Sequence, residues 1–155
     1  MRLGLVVSFL LATGASAAQL TGRVVHVIDG DGLIVFLGDK RVNVRLEHID
    51  APEHGQPYGT PSRQSLIAIC GGELAKVDAS GKDRNGRTLA RVRCNGADAG
   101  AEQVERGMDW VFERYAPADS PLYPIQREAQ AAKRGLWSQP TPVAPWEWRR
   151  VNVKP

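Results

Sequence analysis

The chain has 155 residues, of which 43% are hydrophobic and 24% are charged. This length suits one ordinary domain, and this composition excludes a wholly disordered chain. The formal net charge of +3 is compatible with a polyanionic partner, but so small an excess does not identify one.

The N-terminus has the pattern of a secretory signal. Arg2 precedes an apolar run over residues 3–12, and small residues in an A-x-A arrangement follow up to Ala17. The alternative, a membrane anchor, would need about 20 apolar residues, roughly twice as many as this run contains. We therefore expect residues 1–17 to be a cleaved signal peptide and the mature protein to be secreted or periplasmic, without membrane association.

After the signal, the sequence predicts a meander of short strands. Residues 22–28 and 33–37 are rich in β-branched side chains, and the Asp-Gly-Asp-Gly turn at residues 29–32 separates them. Residues 42–47 alternate apolar and polar side chains, as a half-buried strand does. Residues 50–59, with two prolines and two glycines, are then expected to form a loop.

The second half of the chain combines helices with two more predicted strands, residues 73–79 and 87–94. Capping residues and first-turn prolines predict three helices, over residues 60–70, 98–107 and 120–134. The remaining residues, 138–155, are expected to be a surface tail without periodicity. Because a flat five-stranded sheet would leave exposed edges, this order of elements favours a mainly β, α+β fold: a five-stranded OB-fold barrel with about three helices.

The two cysteines, Cys70 and Cys94, are the only ones in the chain. An oxidising compartment favours their pairing. Closing the intervening loop would stabilise the fold by roughly 3–4 kcal/mol through the lost entropy of the unfolded chain. Two buried free thiols remain the alternative, because the spacing does not show whether the geometry of a disulfide is met.

Four carboxylates fall at the ends of two predicted strands. Asp29 and Asp31 follow the first strand, and Asp50 and Glu53 follow the third. A meander can bring these two ends together, and closely spaced carboxylates repel one another unless they are protonated or bound to a cation. Oxygen ligands suit a hard ion such as Ca²⁺, and the histidines lack the spacing of a zinc site.

Two arginines complete this group. Arg45 lies on the polar face of the third predicted strand, and Arg87 begins the fifth. A guanidinium binds phosphate through a planar fork of donors. A cation, two arginines and a spare carboxylate are the parts that phosphodiester hydrolysis needs. The residues alone leave open the alternative of ordinary turns and surface salt bridges.

Three segments resemble the signatures of the staphylococcal-nuclease-like (thermonuclease) family. They are residues 28–32 (IDGDG), 44–53 (VRLEHIDAPE) and 83–90 (DRNGRTLA), and the similarity extends over about residues 21–137. The resemblance implies an OB-fold, calcium-dependent phosphodiesterase that acts on DNA and RNA, with single-stranded or frayed substrates preferred. We expect it to act as a monomer.

The resemblance also implies roles for individual residues. It implies three calcium ligands: the side chains of Asp31 and Asp50 and the backbone carbonyl of Ala51. It implies three catalytic residues: Glu53 as the general base, with Arg45 and Arg87 as the phosphate-binding pair. Two positions depart from the family pattern, because Gly32 replaces a threonine and Asn85 replaces a tyrosine.

A second interpretation is a non-catalytic OB-fold module that binds nucleic acid and has a weakened metal site. Gly32 favours it, whereas Glu53 opposes it, because a pure binding module has no need for a carboxylate that activates water. Outside these motifs, Tyr115 is a candidate for stacking on a base. Trp146 and Trp148 are expected to cover apolar surface.

Overall fold

The computed structural model describes residues 19–152. The predicted signal peptide, residues 1–17, lies outside the described residues. Within the described range, no helix combines the length and the apolar character that are needed to cross a membrane.

The secondary structure of residues 19–152 consists of short strands and four α-helices. The strands are β1 (Gln19–Val27), β2 (Gly32–Leu37), β3 (Lys40–Leu46), β4 (Ile49–Asp50), β5 (Leu74–Lys82), β6 (Thr88–Cys94), β7 (Ala97–Asp98) and β8 (Trp110–Val111). The helices are α1 (Gly59–Cys70), α2 (Ala99–Glu105), α3 (Leu122–Ala131) and α4 (Pro145–Asn152), and a 3₁₀ turn covers Gly135–Ser138.

Five of these strands close into a barrel. Neighbours pair antiparallel in the order β3-β2-β1-β5-β6. Strands β3 and β6 then pair in parallel, with Val44 opposite Thr88 and Arg45 opposite Leu89. Closure removes the exposed edges that a flat sheet would have. The prediction of an α+β fold built on a five-stranded OB-fold barrel is confirmed.

The inward side of each barrel strand forms the hydrophobic core. In β3, Val44 and Leu46 are buried, whereas Asn43 is exposed, as the alternation of the sequence predicts. Helices α1 and α2 add the fully buried Leu66 and Val104 to the same core. This packing determines which side chains of each strand point into the core. It therefore also determines which polar side chains face outward.

The predicted cap of α1 is wrong, whereas that of α2 is confirmed. Helix α1 begins at Gly59 after Tyr58, which has a φ of 70° and no side-chain cap, so Thr60 lies inside the helix. A tight turn explains this start, because the Gly59 amide donates to the Gln56 carbonyl at 2.9 Å. At α2, the Asp98 carboxylate accepts a hydrogen bond from the Ala101 amide at 3.0 Å.

The tail contains a helix, α4, where the sequence analysis predicted none. Its eight residues are too few to establish a hydrophobic period, and its position depends on packing with distant aromatic residues. The Trp146 ring stacks on Phe112 with centroids 5.2 Å apart and meets Trp110 edge-on at 5.7 Å. Trp146 therefore covers apolar surface, as expected, and docks the tail onto the domain.

A disulfide joins Cys70, the last residue of α1, to Cys94, the last residue of β6. Both cysteines are buried, and their Cα atoms are 5.4 Å apart. The bridge thus connects a helix end to a barrel strand inside the core. The predicted pairing is confirmed.

Replacing both cysteines by alanine is expected to lower the free energy of unfolding by about 3–4 kcal/mol, because the unfolded chain regains the entropy that the closed loop removes. Urea denaturation of the wild type and of the Cys70→Ala/Cys94→Ala variant measures the difference. A decrease of less than about 1 kcal/mol would contradict the stabilising role of the bridge.

Candidate active site

The turn between β1 and β2 meets the end of β4 at one end of the barrel. The Ala51 amide donates to Asp31 Oδ2 at 2.9 Å, and the Leu46 amide donates to the Asp31 carbonyl at 2.8 Å. The Asp31 amide in turn donates to Asp29 Oδ1 at 3.2 Å. These contacts hold Asp31, which is only 4% exposed, against the loop that carries Asp50.

Arg45 bridges two of the predicted calcium ligands. Its Nη1 forms an ion pair with Asp31 Oδ2, and its Nη2 donates to Asp50 Oδ1 at 2.9 Å. Nη2 also donates to the Ile49 carbonyl at 3.3 Å. The polar face of β3, on which the alternation predicted Arg45, therefore brings its guanidinium to both carboxylates.

Burial governs the electrostatics of these two acids. It raises the pKa of Asp31 to about 7, against the opposing charge of Arg45, and the nearby charges of Asp29 and Asp50 raise it further. Burial also raises the pKa of Asp50, although hydrogen bonds and charges from Arg149 and Arg45 oppose it. The arginines therefore do not fully offset the cost of burying these two carboxylates in their charged form.

The donor set of the site fits a hard cation. Asp31 Oδ2 accepts from the Ala51 amide and pairs with Arg45, and the nearby oxygens belong to carboxylates and backbone carbonyls. Within the same residues, no group of three or more His, Cys, Asp or Glu side chains could hold a metal by itself. A calcium ion bound by Asp31 and Asp50 would thus need further oxygens from the Ala51 carbonyl and from water.

Glu53 joins this group through a residue that the sequence analysis missed. Arg149, on α4, forms an ion pair with Glu53 Oε1. Its guanidinium also donates to Asp50, from Nη2 to Oδ2 at 2.6 Å and from Nη1 to Oδ1 at 3.3 Å. Partial burial lowers the pKa of Arg149, but its hydrogen bonds to the Asp50 and Glu53 carboxylates outweigh burial and raise that pKa above the usual arginine value. We call Asp31, Asp50 and Glu53 the carboxylate cluster.

Arg87 pairs with an acid of its own turn. Its Nε donates to Asp83 Oδ2 at 2.7 Å, and its amide donates to Asp83 Oδ1 at 2.9 Å, within the turn before β6. Although slight burial opposes the shift, these bonds lower the pKa of Asp83. The structure therefore brings together Arg45, Asp31, Asp50, Ala51 and Glu53, whereas Arg87 pairs with its own turn.

Gly32 fits the local geometry of the β1–β2 turn. A Cβ atom at this position would lie 2.7 Å from Asp29 Oδ1, the atom that accepts the hydrogen bond from the Asp31 amide. A threonine here would displace that carboxylate. The Asp29 carboxylate thus holds the Asp31 backbone in the turn where the family pattern has a threonine at position 32.

A buried polar network packs behind the same turn and was not predicted. Gln103 Nε2 donates to the carbonyls of Gly30 at 2.8 Å and Ser62 at 3.0 Å, and Ser62 Oγ donates to Asp109 Oδ1 at 2.5 Å. Burial, reinforced by the charge of Asp31, raises the pKa of Asp109 well above its usual value. The network fixes the backbone next to Asp31.

Asp109 should make the stability depend on pH. Folding raises the pKa of Asp109. Below its unfolded-state pKa, Asp109 therefore adds its full contribution to the free energy of unfolding, and this contribution is lost as pH rises toward its folded-state pKa. Relative to wild type, Asp109→Asn should therefore gain unfolding free energy as pH rises from about 4 to about 7, by at most about 1.4 kcal/mol per pH unit. Urea denaturation at several pH values measures this difference. If the unfolding free energies of the two proteins changed with pH in parallel, the claim that folding raises the pKa of Asp109 would be wrong.

Comparisons with known proteins agree with this fold. The family model described as "Staphylococcal nuclease homologue" matches residues 43–139. An "Uncharacterized endonuclease" of Escherichia coli O157:H7 is 39% identical over 145 residues, which cover 93% of this chain and 94% of that protein. The "Micrococcal nuclease" of Shigella flexneri is 34% identical over 153 residues, covering 92% of this chain and 88% of that protein.

A longer relative matches over about a third of its own length. The "Probable staphylococcal-like nuclease CAN1" of Oryza sativa subsp. japonica is 33% identical over 111 residues, which cover 72% of this chain and 33% of that protein. The barrel, the carboxylate cluster and these similarities define the class of protein as a nuclease, a hydrolase. The chain belongs to the staphylococcal nuclease family.

Proposed function

We propose that the protein is an exported, calcium-dependent nuclease that hydrolyses DNA and RNA with little sequence specificity. We further propose a monomer that prefers single-stranded or frayed substrates and has no membrane association after signal removal. The observation that carries the proposal is the position of Arg45, which bridges Asp31 and Asp50 beside the loop of Glu53.

Asp31, Asp50 and the Ala51 carbonyl are the residues that would hold calcium. When bound, the ion would supply positive charge to the phosphate oxygens on which negative charge develops. A bound divalent cation would favour the ionised form of both acids, against the burial that raises their pKa values.

Glu53 is the residue placed to take a proton from the attacking water. Its side chain is 39% exposed, whereas those of Asp31 and Asp50 are 5% and 3% exposed. Its backbone is fixed by the Gln56 side chain, which accepts from the Glu53 amide at 2.9 Å. A carboxylate that is both held in place and open to water suits general-base catalysis.

The two arginines would bind the phosphate in different ways. Three of the five N–H donors of Arg45 serve Asp31, Asp50 and the Ile49 carbonyl, so two remain for a phosphate oxygen. The paired side chains of Arg87 and Asp83 are 30% and 13% exposed, and ion pairs near the surface are worth only about 0–1 kcal/mol. Arg87 can therefore exchange Asp83 for phosphate with little loss of stability.

Export is supported by two features of the chain. Residues 1–17 have the pattern of a cleaved signal. The Cys70–Cys94 disulfide is typical of proteins that fold in an oxidising compartment. Intact-mass measurement of protein exported by a bacterial host tests the proposal: the expected mass lacks residues 1–17, whereas an unprocessed chain would contradict it.

The proposed activity is tested with the purified mature protein and single-stranded DNA or RNA. We expect cleavage in calcium, loss of cleavage when a chelator is added, and recovery when calcium is restored. Binding to the same oligonucleotide is measured in parallel. Binding without cleavage under every condition would contradict the nuclease and favour the non-catalytic module, and cleavage in chelator would contradict the calcium requirement.

A further inference from the structure

The guanidinium of Arg149 connects a proposed calcium ligand to the proposed general base. It contacts both oxygens of Asp50, at 2.6 and 3.3 Å, and forms an ion pair with Glu53 Oε1. The charge of an arginine persists at every physiological pH. Arg149 is therefore a fixed cation inside the carboxylate cluster.

Arginine contacts use both oxygens of Asp50. Oδ1 accepts from Arg45 at 2.9 Å and from Arg149 at 3.3 Å, whereas Oδ2 accepts from Arg149 at 2.6 Å. Asp50 is buried, so these charge-assisted bonds are poorly screened by water. A divalent cation that approaches Asp50 meets the repulsion of Arg149 and must replace at least part of its contact.

Helix α4 is also held by contacts other than the ion pairs that Arg149 makes with the carboxylates. Trp146 stacks on Phe112, and the Val143 carbonyl accepts from Gln56 Nε2 at 2.8 Å. Trp146 and Arg149 are three residues apart and so lie on the same side of the helix. The aromatic contact therefore directs Arg149 toward the cluster.

The far end of α4 is much less restrained. Arg150 and Val151 are 75% and 78% exposed, and within residues 19–152 Arg150 pairs only with Glu147 of the same helix. The side chain of Arg149 is itself 36% exposed. Arg149 can thus move from Asp50 toward solvent without breaking the barrel core.

We propose that Arg149 is a built-in competitor for the divalent cation: it occupies Asp50 and Glu53 until calcium displaces it from Asp50. The inference rests on the proposed function, because it concerns the same calcium ligands. Its consequence is that α4 raises the calcium concentration at which the site fills. The tail is then an autoinhibitory element that the metal itself relieves.

Calcium affinity measured by isothermal titration calorimetry tests this inference without relying on activity. Arg149→Gln removes the cation but retains a hydrogen-bonding side chain, and it should bind calcium about tenfold more tightly than wild type, within the usual range of coupling between sites. Arg150→Gln is the matched control, because it removes an equal charge one residue away, and it should bind like wild type. Arg149→Lys keeps the charge and should remain close to wild type.

A second variant tests the delivery of Arg149 by the helix. Trp146→Ala should undock α4 and also tighten calcium binding, although position 149 keeps its charge. Equal affinities for wild type and Arg149→Gln would overturn the competition, and weaker binding by Arg149→Gln would make Arg149 a positioning residue instead. If wild type, Arg149→Gln and Trp146→Ala all release no heat with calcium, the proposed calcium site is wrong. The proposed competition for that site is then wrong as well.

Discussion

Glu53→Gln is expected to lower kcat by about 10²–10⁴-fold, the usual contribution of general-base catalysis. The amide keeps the shape of the side chain and can still hydrogen-bond, but it cannot take a proton from water. The lost rate corresponds to about 3–5 kcal/mol of activation free energy. The measurement is a calcium titration of the rate of oligonucleotide cleavage, with binding of an uncleaved nucleotide measured alongside.

The matched control for this variant is Glu105→Gln, which changes an exposed carboxylate at the end of α2. It should leave the rate unchanged. Glu53→Gln also loses its ion pair with Arg149, so the titration must extend to saturating calcium. A near-normal rate at saturation would show that Glu53 belongs to the metal site and that another group activates the water.

Arg87→Ala is expected to lower kcat by about 10²–10³-fold, the loss typical of removing one donor to a developing charge. KM should change much less, because Arg87 in the free protein is bound to Asp83 and contacts phosphate most strongly as charge accumulates. Steady-state kinetics on one oligonucleotide separate the two constants.

Arg84→Ala is the control for Arg87→Ala, because Arg84 is an exposed arginine in the same turn. Arg84→Ala should weaken binding of the oligonucleotide at low salt and leave kcat unchanged. Removing Arg87 should also reduce the slope of log affinity against log salt by about 1, as expected for one phosphate contact. If affinity falls while kcat is unchanged, Arg87 is a binding residue without a catalytic role.

The barrel could be predicted from the sequence because its strands carry strong local signals. The alternation in β3 separated buried Val44 from Arg45, and the Asp-Gly turns marked the strand ends. The convergence of Asp31 and Asp50 then followed from the meander and the resemblance. Asp98 was a recognisable cap because its side chain acts within its own turn.

Arg149 could not be predicted because its position depends on tertiary contacts. Helix α4 is short, and its docking requires Trp146 to meet Phe112, 34 positions earlier in the chain. The only sequence signal was an arginine three residues after a tryptophan, a pattern that is also ordinary on a surface. The buried network of Gln103 and Asp109 could not be predicted for a similar reason, because polar residues in a helix or loop are normally assigned to the solvent-exposed side.

The most direct test of the account is a crystal structure of the Glu53→Gln variant with calcium and a short single-stranded oligonucleotide. We predict calcium on Asp31, Asp50 and the Ala51 carbonyl, with the scissile phosphate contacted by Arg45 and Arg87. Calcium bound elsewhere, or a phosphate that touches neither arginine, would contradict the assignment of this cluster as the active site.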